Sequence, residues 1–295
     1  MKIFFDNVDF RSSSGPNSFG AKLARTFSQM GHQITDEDPD LQFSFISISR
    51  KLAPTILRLD GIYFNTEQDW NALNDPINKS YKSADAVVVQ SLFNKRLVTN
   101  YFGDRDDINV IRNGTCLDLI DQIPPANISN LPREKIWFCA SSWRPHKRLK
   151  ENIRYFNEFA PADAFLLIAG DIAPEHWQTD RIRCVGNLNW DQLISVMKAS
   201  SHFIHLAWLD HCPNVVVDAK ASGCRVVCSS SGGTEEIAGE GSIVIEEDIW
   251  DFKPTNLYEP PKLDFSKARP GLNYKADIDI LNVAEQYLKI IIEEI

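Results

Sequence analysis

The strongest constraint on the fold is a pattern that occurs twice along the chain. Short β-branched or aromatic segments alternate with longer amphipathic segments, first within about the first 115 residues and again from residue 136 onward. Such alternation is typical of β-α-β units, which build a mostly parallel sheet covered by helices. A proline-rich segment, Gln122 to Arg133, separates the two runs. The sequence therefore predicts an α/β chain with two domains, which its length of 295 residues can supply.

Loop-forming residues within the two runs indicate where individual strands and helices begin and end. In the first run we expect a loop over Ser12 to Ser18, a helix over Phe19 to Met30 and a strand over Leu41 to Ile48. In the second run we expect strands over Ile136 to Ala140 and Phe165 to Ala169, with a helix over Leu149 to Phe159 between them. The chain ends in an amphipathic segment that predicts a helix over Ile278 to Glu294.

Charge and composition exclude several classes of protein. The formal net charge is −9, so the long-range field repels nucleic acid and anionic membrane surfaces. The longest apolar stretches fall short of the roughly 20 residues of a membrane span, and the first residues do not resemble a signal peptide. Six cysteines without a CxxC pair fit a reducing compartment, so we expect a cytoplasmic protein. Peripheral membrane docking through Ile290 to Ile292 is disfavoured by Glu293 and Glu294.

A basic loop stands out in this acidic chain. Arg144, Lys147, Arg148 and Lys150 directly follow a predicted strand and open a predicted helix. The carboxyl end of such a strand faces the ligand crevice, and a helix N-terminus favours an anion, so the loop indicates a phosphate site. The alternative is a solvated helix face whose charges serve solubility.

Two carboxylates form a second pattern. Asp210 lies on the loop after a predicted strand, and Asp218 lies on the following helix on the same face as Asn214. Carboxylates of this kind bind sugar or ribose hydroxyls, although two close carboxylates are also typical of glycosidases. The basic loop favours transfer, because only transfer from a nucleotide sugar has a phosphate leaving group that cations can stabilise.

The chain resembles the family 4 type glycosyltransferases of the GT-B fold, also described as glycosyl transferases group 1. The resemblance rests on seven ordered motifs, which are strongest from residue 108 to residue 238. They are Val110-Ile-Arg-Asn-Gly114, Ser141 to Lys147, Leu167-Ile-Ala-Gly-Asp171, Val185-Gly-Asn-Leu188, Asp210-x7-Asp218, Ala219 to Val227 and Gly232-Gly-Thr-Glu-Glu-Ile237.

The resemblance implies two Rossmann-like domains that face each other across a cleft. We expect a shortened acceptor-side domain over residues 1–116 and a nucleotide-sugar-binding domain over residues 117–273. We expect residues 274–295 to form a helix that packs back on the first domain. The implied activity is a retaining, metal-independent transfer of a sugar from a nucleoside diphosphate sugar to a hydroxyl of a saccharide acceptor. No cofactor or metal is expected, and the nucleotide base, UDP or GDP, stays open.

The resemblance also assigns candidate site residues. The catalytic candidates are Asp210, Asp60, Arg144 and Lys147, with Arg144 and Lys147 neutralising the leaving diphosphate. The donor-binding candidates are Gly15, Pro16, Ser142, Gly170, Asp171, Gly186, Asn187, Leu188, His211, Asn214, Val215 and Asp218. Asp218 is expected to bind the ribose and residues 186–188 to lie near the base. For the serine-rich loop around Gly15, a helix cap without a ligand is an equal alternative.

The chain departs from the family pattern at three places. Both family glutamates are aspartates here, at 210 and 218, and Ser142 stands where the family has an arginine. The two aspartates and the short acceptor-side domain leave open a sugar-nucleotide-binding subunit with weak activity. A sugar-nucleotide epimerase or phosphorylase also stays open, because one fold supports several chemistries. A nicotinamide-dependent oxidoreductase is disfavoured because the sequence contains no GxGxxG. The histidines do not form a metal site, and only His211 lies on the loop of Asp210.

Overall fold

The computed structural model describes residues 1–12, 14–173 and 176–294, with the backbone alone described for 291–294. Its core is two separate β-sheets covered by helices, so the predicted α/β class is confirmed. No helix in the described part of the chain is both long and apolar enough to cross a membrane. The membrane docking through Ile290 to Ile292 that the sequence disfavours concerns side chains that lie partly outside the described residues.

The first sheet contains six parallel strands in the order β2-β1-β3-β4-β5-β6. Its strands are β1 (Lys2–Asp6), β2 (Gln33–Ile34), β3 (Leu41–Phe45), β4 (Thr55–Leu59), β5 (Ala86–Val89) and β6 (Ile108–Val110). The helices of this part are α1 (Gly15–Gln29), α2 (Trp70–Ser83), α3 (Leu92–Phe102) and α4 (Leu117–Gln122). Strands β3, β4 and β5 are buried along their whole length, as expected for parallel strands covered on both faces.

The second sheet contains seven strands in the order β13-β12-β11-β10-β7-β8-β9, and only its edge strand β13 is antiparallel. Its strands are β7 (Ile136–Ala140), β8 (Phe165–Ala169), β9 (Ile182–Gly186), β10 (His202–His205), β11 (Arg225–Ser229), β12 (Ile243–Ile245) and β13 (Ala268–Pro270). The helices are α5 (Leu149–Phe159), α6 (Trp190–Lys198), α7 (Asn214–Ala221) and α8 (Thr234–Ala238). The strand order reverses between β7 and β10, which is where ligands bind in open α/β sheets.

The last helix, α9 (Ile280–Glu294), returns to the first sheet. Its buried residues Ile280, Val283, Ala284 and Tyr287 join the same apolar cluster as Phe19 of α1. The phenolic oxygen of Tyr287 accepts a hydrogen bond of 3.0 Å from the Nε–H of Arg58, a fully buried residue of β4. The C-terminal helix is therefore fixed to the first sheet by a polar contact as well as by apolar packing.

Two predicted elements have different bounds in the structure. Helix α1 begins at Gly15, four residues before the predicted start at Phe19, because Pro16 occupies a first-turn position that needs no N–H. Strand β3 ends at Phe45 and not at Ile48, because Ile46 has a φ of 68° that is incompatible with a strand. Helices α2 and α3 were not predicted, and α2 contains Pro76 within its length.

The contact between α9 and β4 yields a prediction about stability. Replacing Tyr287 by Phe leaves the buried Nε–H of Arg58 without its acceptor, so the free energy of unfolding should fall by about 1–3 kcal/mol. Urea denaturation measures this change, and Tyr63→Phe, at a tyrosine that is 39% exposed, is the matched control. Equal effects of the two substitutions would show that the Arg58 contact contributes nothing to stability.

Candidate active site

The site is built around Asp210, on the loop between β10 and α7. Its Oδ2 atom accepts hydrogen bonds from Lys147 Nζ at 2.5 Å and from His205 Nε2 at 2.9 Å. Its Oδ1 atom accepts the backbone N–H of His211 at 3.1 Å. The carboxylate is 13% exposed, so it is open to a ligand only over a small part of its surface.

The backbone of Asp210 is fixed by the glycine loop that follows β11. The N–H of Gly233 donates to the Asp210 carbonyl at 2.7 Å, and Asp210 forms an isolated β-bridge with Gly232. A Cβ atom at residue 232 would lie 2.3 Å from that carbonyl oxygen, and the φ of this glycine is 83°. Only glycine therefore allows this approach, which explains the Gly-Gly pair in the sequence.

Electrostatics keep Asp210 ionised. Burial opposes the charge, but Lys147 and His205 outweigh it and hold the pKa of the carboxyl well below its ordinary value. Burial lowers the pKa of His205, although Asp210 acts against this shift. His205 is therefore neutral at neutral pH, and its Nε2–H donates to a carboxylate that carries a full negative charge.

The basic loop does not act as one cluster. Lys147 binds Asp210, whereas Arg148 is buried and pairs with Glu247 through two hydrogen bonds of 2.8 and 2.6 Å. Arg144 and Lys150 are exposed and line a cavity at the start of α5. Only part of the positive charge in this loop thus faces the junction of β7 and β10.

The first sheet contributes a second wall. Asp60 follows β4 and accepts hydrogen bonds from Arg58 and Gln90, while its Oδ2 atom is buried without a partner among the described residues. The next residue, Gly61, packs against the ring of His211: a Cβ atom there would lie 2.5 Å from Nε2. Burial lowers the pKa of His211 to about 4, so this imidazole is neutral.

The N-termini of α1 and α7 lie close together between the two sheets. The Asn214 Nδ2 atom donates to the carbonyl of Gly15 at 2.9 Å, and Pro16 occupies the first turn of α1. In the part of the chain that the structure describes, the backbone N–H groups of Asn214 and Val215 meet no acceptor. Two converging helix N-termini favour an anion at this point.

Asp218 lies deeper on α7. Its carboxylate pairs with Lys22 of α1 at 3.2 Å and accepts the indole N–H of Trp190 at 3.1 Å, which leaves 4% of the side chain exposed. Lys22 also lies 5.5 Å from the centre of the Trp190 ring. The predicted ribose-binding carboxylate is therefore occupied by a cation from the other side of the cleft.

The remaining predicted donor-binding residues follow β7, β8 and β9. Ser142 and Asp171 are exposed, and Gly170 has a φ of 126° that lets Trp143 pack against it. The loop of Gly186, Asn187 and Leu188 leads into α6, with Leu188 half-buried against the core on the α7 side of the sheet. These residues all lie at the carboxyl ends of parallel strands of the second sheet.

Sequence reasoning missed His205, Lys22 and Trp190 as site residues. His205 is not among the predicted site residues, although its position at the carboxyl end of β10, five residues before Asp210, is a usable signal. Lys22 lies far from the motifs in the chain. Trp190 follows the Val185-Gly-Asn-Leu188 motif by two residues, but only the fold brings both side chains to Asp218.

Comparisons with known proteins agree with this architecture. Residues 125–252 match the family model described as glycosyl transferases group 1. The structure is similar to that of Anabaena Alr3699/HepE in complex with UDP and glucose, with a TM-score of 0.68, 15% identity and coverage of 99% of this chain and 100% of that one. No curated protein sequence matches the chain.

Two further solved structures show the same fold. A sucrose-phosphate synthase from Thermosynechococcus elongatus has a TM-score of 0.65 and 14% identity, with coverage of 83% of this chain and 86% of that one. A glycosyltransferase from Rickettsia africae has a TM-score of 0.59 and 16% identity, with coverage of 99% and 93%. Residues 125–252 therefore match the group 1 glycosyltransferases, within a fold that the chain shares with solved glycosyltransferase structures.

Proposed function

We propose that the protein is a retaining glycosyltransferase that moves a sugar from a nucleoside diphosphate sugar to a hydroxyl of a saccharide acceptor without a metal ion. The observation that carries this proposal is the ionised Asp210, held by Lys147 and His205 where the strand order of the second sheet reverses. A carboxylate of this kind can bind the sugar hydroxyls, and the adjacent lysine can neutralise a leaving phosphate.

The nucleotide would lie along the carboxyl ends of the parallel strands of the second sheet. UDP and UDP-glucose are bound in the solved structures of Anabaena Alr3699/HepE, which makes UDP the first nucleotide to test. The diphosphate would sit at the N-termini of α1 and α7, near Gly15 and Asn214. The base would lie near the loop of Gly186 to Leu188.

The ribose would bind Asp218 in place of Lys22. In the structure Lys22 takes one carboxylate oxygen and Trp190 the other, so ribose hydroxyls can reach Asp218 only after Lys22 has moved. A short shift of α1 away from α7 would release this ion pair.

The transfer step follows from these positions. The oxygen of the acceptor hydroxyl bonds to the anomeric carbon as the bond from that carbon to the diphosphate breaks. The electron pair leaves with the diphosphate, and the hydroxyl proton ends on the leaving phosphate oxygen. Because attack and departure occur on the same face, the anomeric configuration is retained, which proton NMR of the product can test. Lys147 and the N-terminus of α7 would supply the positive charge that a divalent cation supplies elsewhere.

Nucleotide binding tests the donor site directly. UDP and UDP-glucose should raise the melting temperature, because a ligand at 100 times its Kd stabilises the native state by about 2.7 kcal/mol. The shift should persist with excess EDTA. Asp218→Ala should weaken UDP binding at least tenfold, because the ribose loses its acceptor.

Lys22→Ala is the matched control, since it breaks the same ion pair but leaves Asp218 in place. It should bind UDP as well as the unmodified chain or better. Equal losses in both variants would mean that the pair only holds α1 against α7, and the ribose assignment would be wrong. Absence of stabilisation by every nucleoside diphosphate would contradict the proposed donor.

His205 should affect turnover more than donor binding. His205→Ala removes a hydrogen bond to a charged group, worth about 1.5–3 kcal/mol, so kcat should fall by roughly 10- to 100-fold while the donor KM changes little. His205→Gln, which keeps an N–H donor, should restore part of this loss. A loss confined to KM would mean that His205 does not position Asp210 for the reaction.

The pH profile gives an independent measurement on the same residue. Because the pKa of Asp210 lies well below its ordinary value and that of His205 is lowered from 6.5, kcat should stay flat from pH 8 down to below the ordinary imidazole pKa of 6.5. Acid loss should begin only below this range, where His205 gains a proton. An inflection near pH 6.5 that disappears in His205→Gln would contradict the lowered pKa of His205.

A further inference from the structure

A segment between β12 and β13 leaves the second sheet, contacts the first sheet and returns. We call residues 247–261 the strap. Its two ends lie at the buried side chain of Arg148, whose guanidinium donates to the carboxylate of Glu247 at 2.8 and 2.6 Å and to the carbonyl of Pro261 at 2.8 Å. One cation therefore holds both ends of the strap, and none of the functions assigned above uses this segment.

The middle of the strap is paired with the chain that follows β4. Thr255 forms an isolated β-bridge with Asn65. The N–H of Thr255 donates to the carbonyl of Phe64 at 2.9 Å, and the N–H of Thr66 donates to the carbonyl of Thr255 at 3.0 Å. These backbone hydrogen bonds fix the strap to the first sheet, on the loop that also carries Gly61.

The strap supplies an aromatic ring beside the active site. The ring centre of Trp250 lies 4.7 Å from that of Phe64 and 6.2 Å from that of Phe93. These two rings in turn lie 6.3 and 5.7 Å from the imidazole of His211. Such distances are typical of packed aromatic pairs. Trp250 thus supports both rings that pack on His211 from the side of the first sheet.

The same apolar cluster includes the residues that directly precede Asp210. Trp208 and Leu209 are buried in one cluster with Phe64, and Trp250 packs against this cluster. Closely packed side chains transmit a displacement to their neighbours. The strap is therefore in mechanical contact with the loop that carries the central carboxylate.

Packing fixes the orientation of the His211 imidazole. Its Nδ1 atom is buried without a hydrogen-bond partner among the described residues, and its Nε2 atom faces Gly61. The backbone N–H of the same residue donates to Oδ1 of Asp210 at 3.1 Å. A displaced ring would move this N–H and loosen the carboxylate.

The strap and the lysine of the site share one turn of the chain. Lys147 binds Asp210, and the next residue, Arg148, holds the strap. The backbone of Arg148 has a φ of 52°, which is uncommon for a residue with a side chain and persists where the surroundings hold it. A change in the strap would therefore reach Asp210 from two sides.

We propose that the strap is a positioning element for sugar transfer, in which Trp250 holds the imidazole of His211 and Arg148 holds the ends of the strap. This proposal rests on the proposed function, in which the sugar lies at Asp210. Trp250 and Arg148 are positioning residues, since they act through other side chains and not on the substrate. The diphosphate, at the N-termini of α1 and α7, does not depend on the strap.

Trp250→Ala tests the role in turnover. Release of UDP from UDP-glucose should slow at least tenfold, because small displacements of positioned groups are costly to the reaction. The affinity for UDP should change less than threefold. Trp250→Phe keeps an aromatic ring and should restore most of the rate. If Trp250→Ala does not fold, Trp250→Leu, which keeps apolar volume without a ring, takes its place with the same expected results.

The NMR signal of the His211 ring tests the position of the imidazole itself. Burial lowers its pKa to about 4, so in the unmodified chain the signal should not titrate between about pH 8 and 5.5. In Trp250→Ala water reaches the ring, and its pKa should rise toward the ordinary value of 6.5. The neighbouring charged groups, Asp210, Lys147 and Asp60, are the same in every variant. His211→Gln identifies the signal.

Trp70→Ala is the matched control. Trp70 is also half-buried on the side of the first sheet, but it packs edge-on against Tyr101 at 5.8 Å. Its removal should change neither the rate of UDP release nor the His211 signal, even where it lowers the melting temperature. Equal losses of rate in both alanine variants, an unchanged rate in Trp250→Ala, or a loss of rate without a change in the His211 signal would each overturn the proposal.

The two proposals fail separately. If the unmodified chain does not release UDP from UDP-glucose and UDP does not stabilise it, the proposed function is wrong and with it the role of the strap in turnover. The His211 signal still tests whether Trp250 holds the imidazole. If the unmodified chain releases UDP and Trp250→Ala does so equally fast, only the positioning role is wrong.

Discussion

The buried guanidinium of Arg58 is the contact on which the arrangement of the two sheets depends. It binds Tyr287 of α9, Asp60 after β4 and, at 2.5 Å, the side-chain oxygen of Asn113. Burial opposes this charge, but Asp60 and Tyr287 outweigh it and raise the pKa of Arg58. The amide of Asn113 then donates to the carbonyl of Cys212 and to the side chain of Asn214, both at 2.8 Å. One fixed cation thus connects the C-terminal helix and the first sheet to the loop that carries Asp210, and breaking such a buried network is costly.

A second set of contacts joins α8 of the second sheet to the first sheet. Glu236 of α8 accepts the backbone N–H groups of Leu92 and Phe93, at the start of α3, and pairs with Arg112 at 2.7 Å. A carboxylate at a helix N-terminus is stabilised by the helix dipole. The Gly-Gly-Thr-Glu-Glu segment therefore has two structural tasks. Its glycines fix the backbone of Asp210, and its second glutamate holds α3 against the second sheet.

The parts of the fold that were predicted from the sequence are those with local signals. Strands β7 and β8 and helix α5 have the predicted bounds, because short apolar runs and an amphipathic segment are separated by clear loop residues. Helix α2 was missed because it contains Pro76, a residue that is typical of a helix boundary. At the site, the pairing of Lys147 with Asp210 follows from two adjacent loops of one sheet. The contacts of Lys22 with Asp218 and of Asn214 with Gly15 depend on how the two sheets meet, which the periodicity of one chain segment does not encode.

In this acidic chain, two ion pairs lie where the two sheets meet: Lys147 with Asp210 and Lys22 with Asp218. We infer that the ionised Asp210 acts in sugar transfer and not in nucleotide binding. Single-turnover release of UDP from UDP-glucose by Asp210→Asn measures this directly, because the substitution keeps the size of the side chain and removes its charge. The rate should fall at least 100-fold while the affinity for UDP changes less than threefold, because the lost charge acts on the transition state. An unchanged rate, or a loss that appears entirely in UDP affinity, would contradict it.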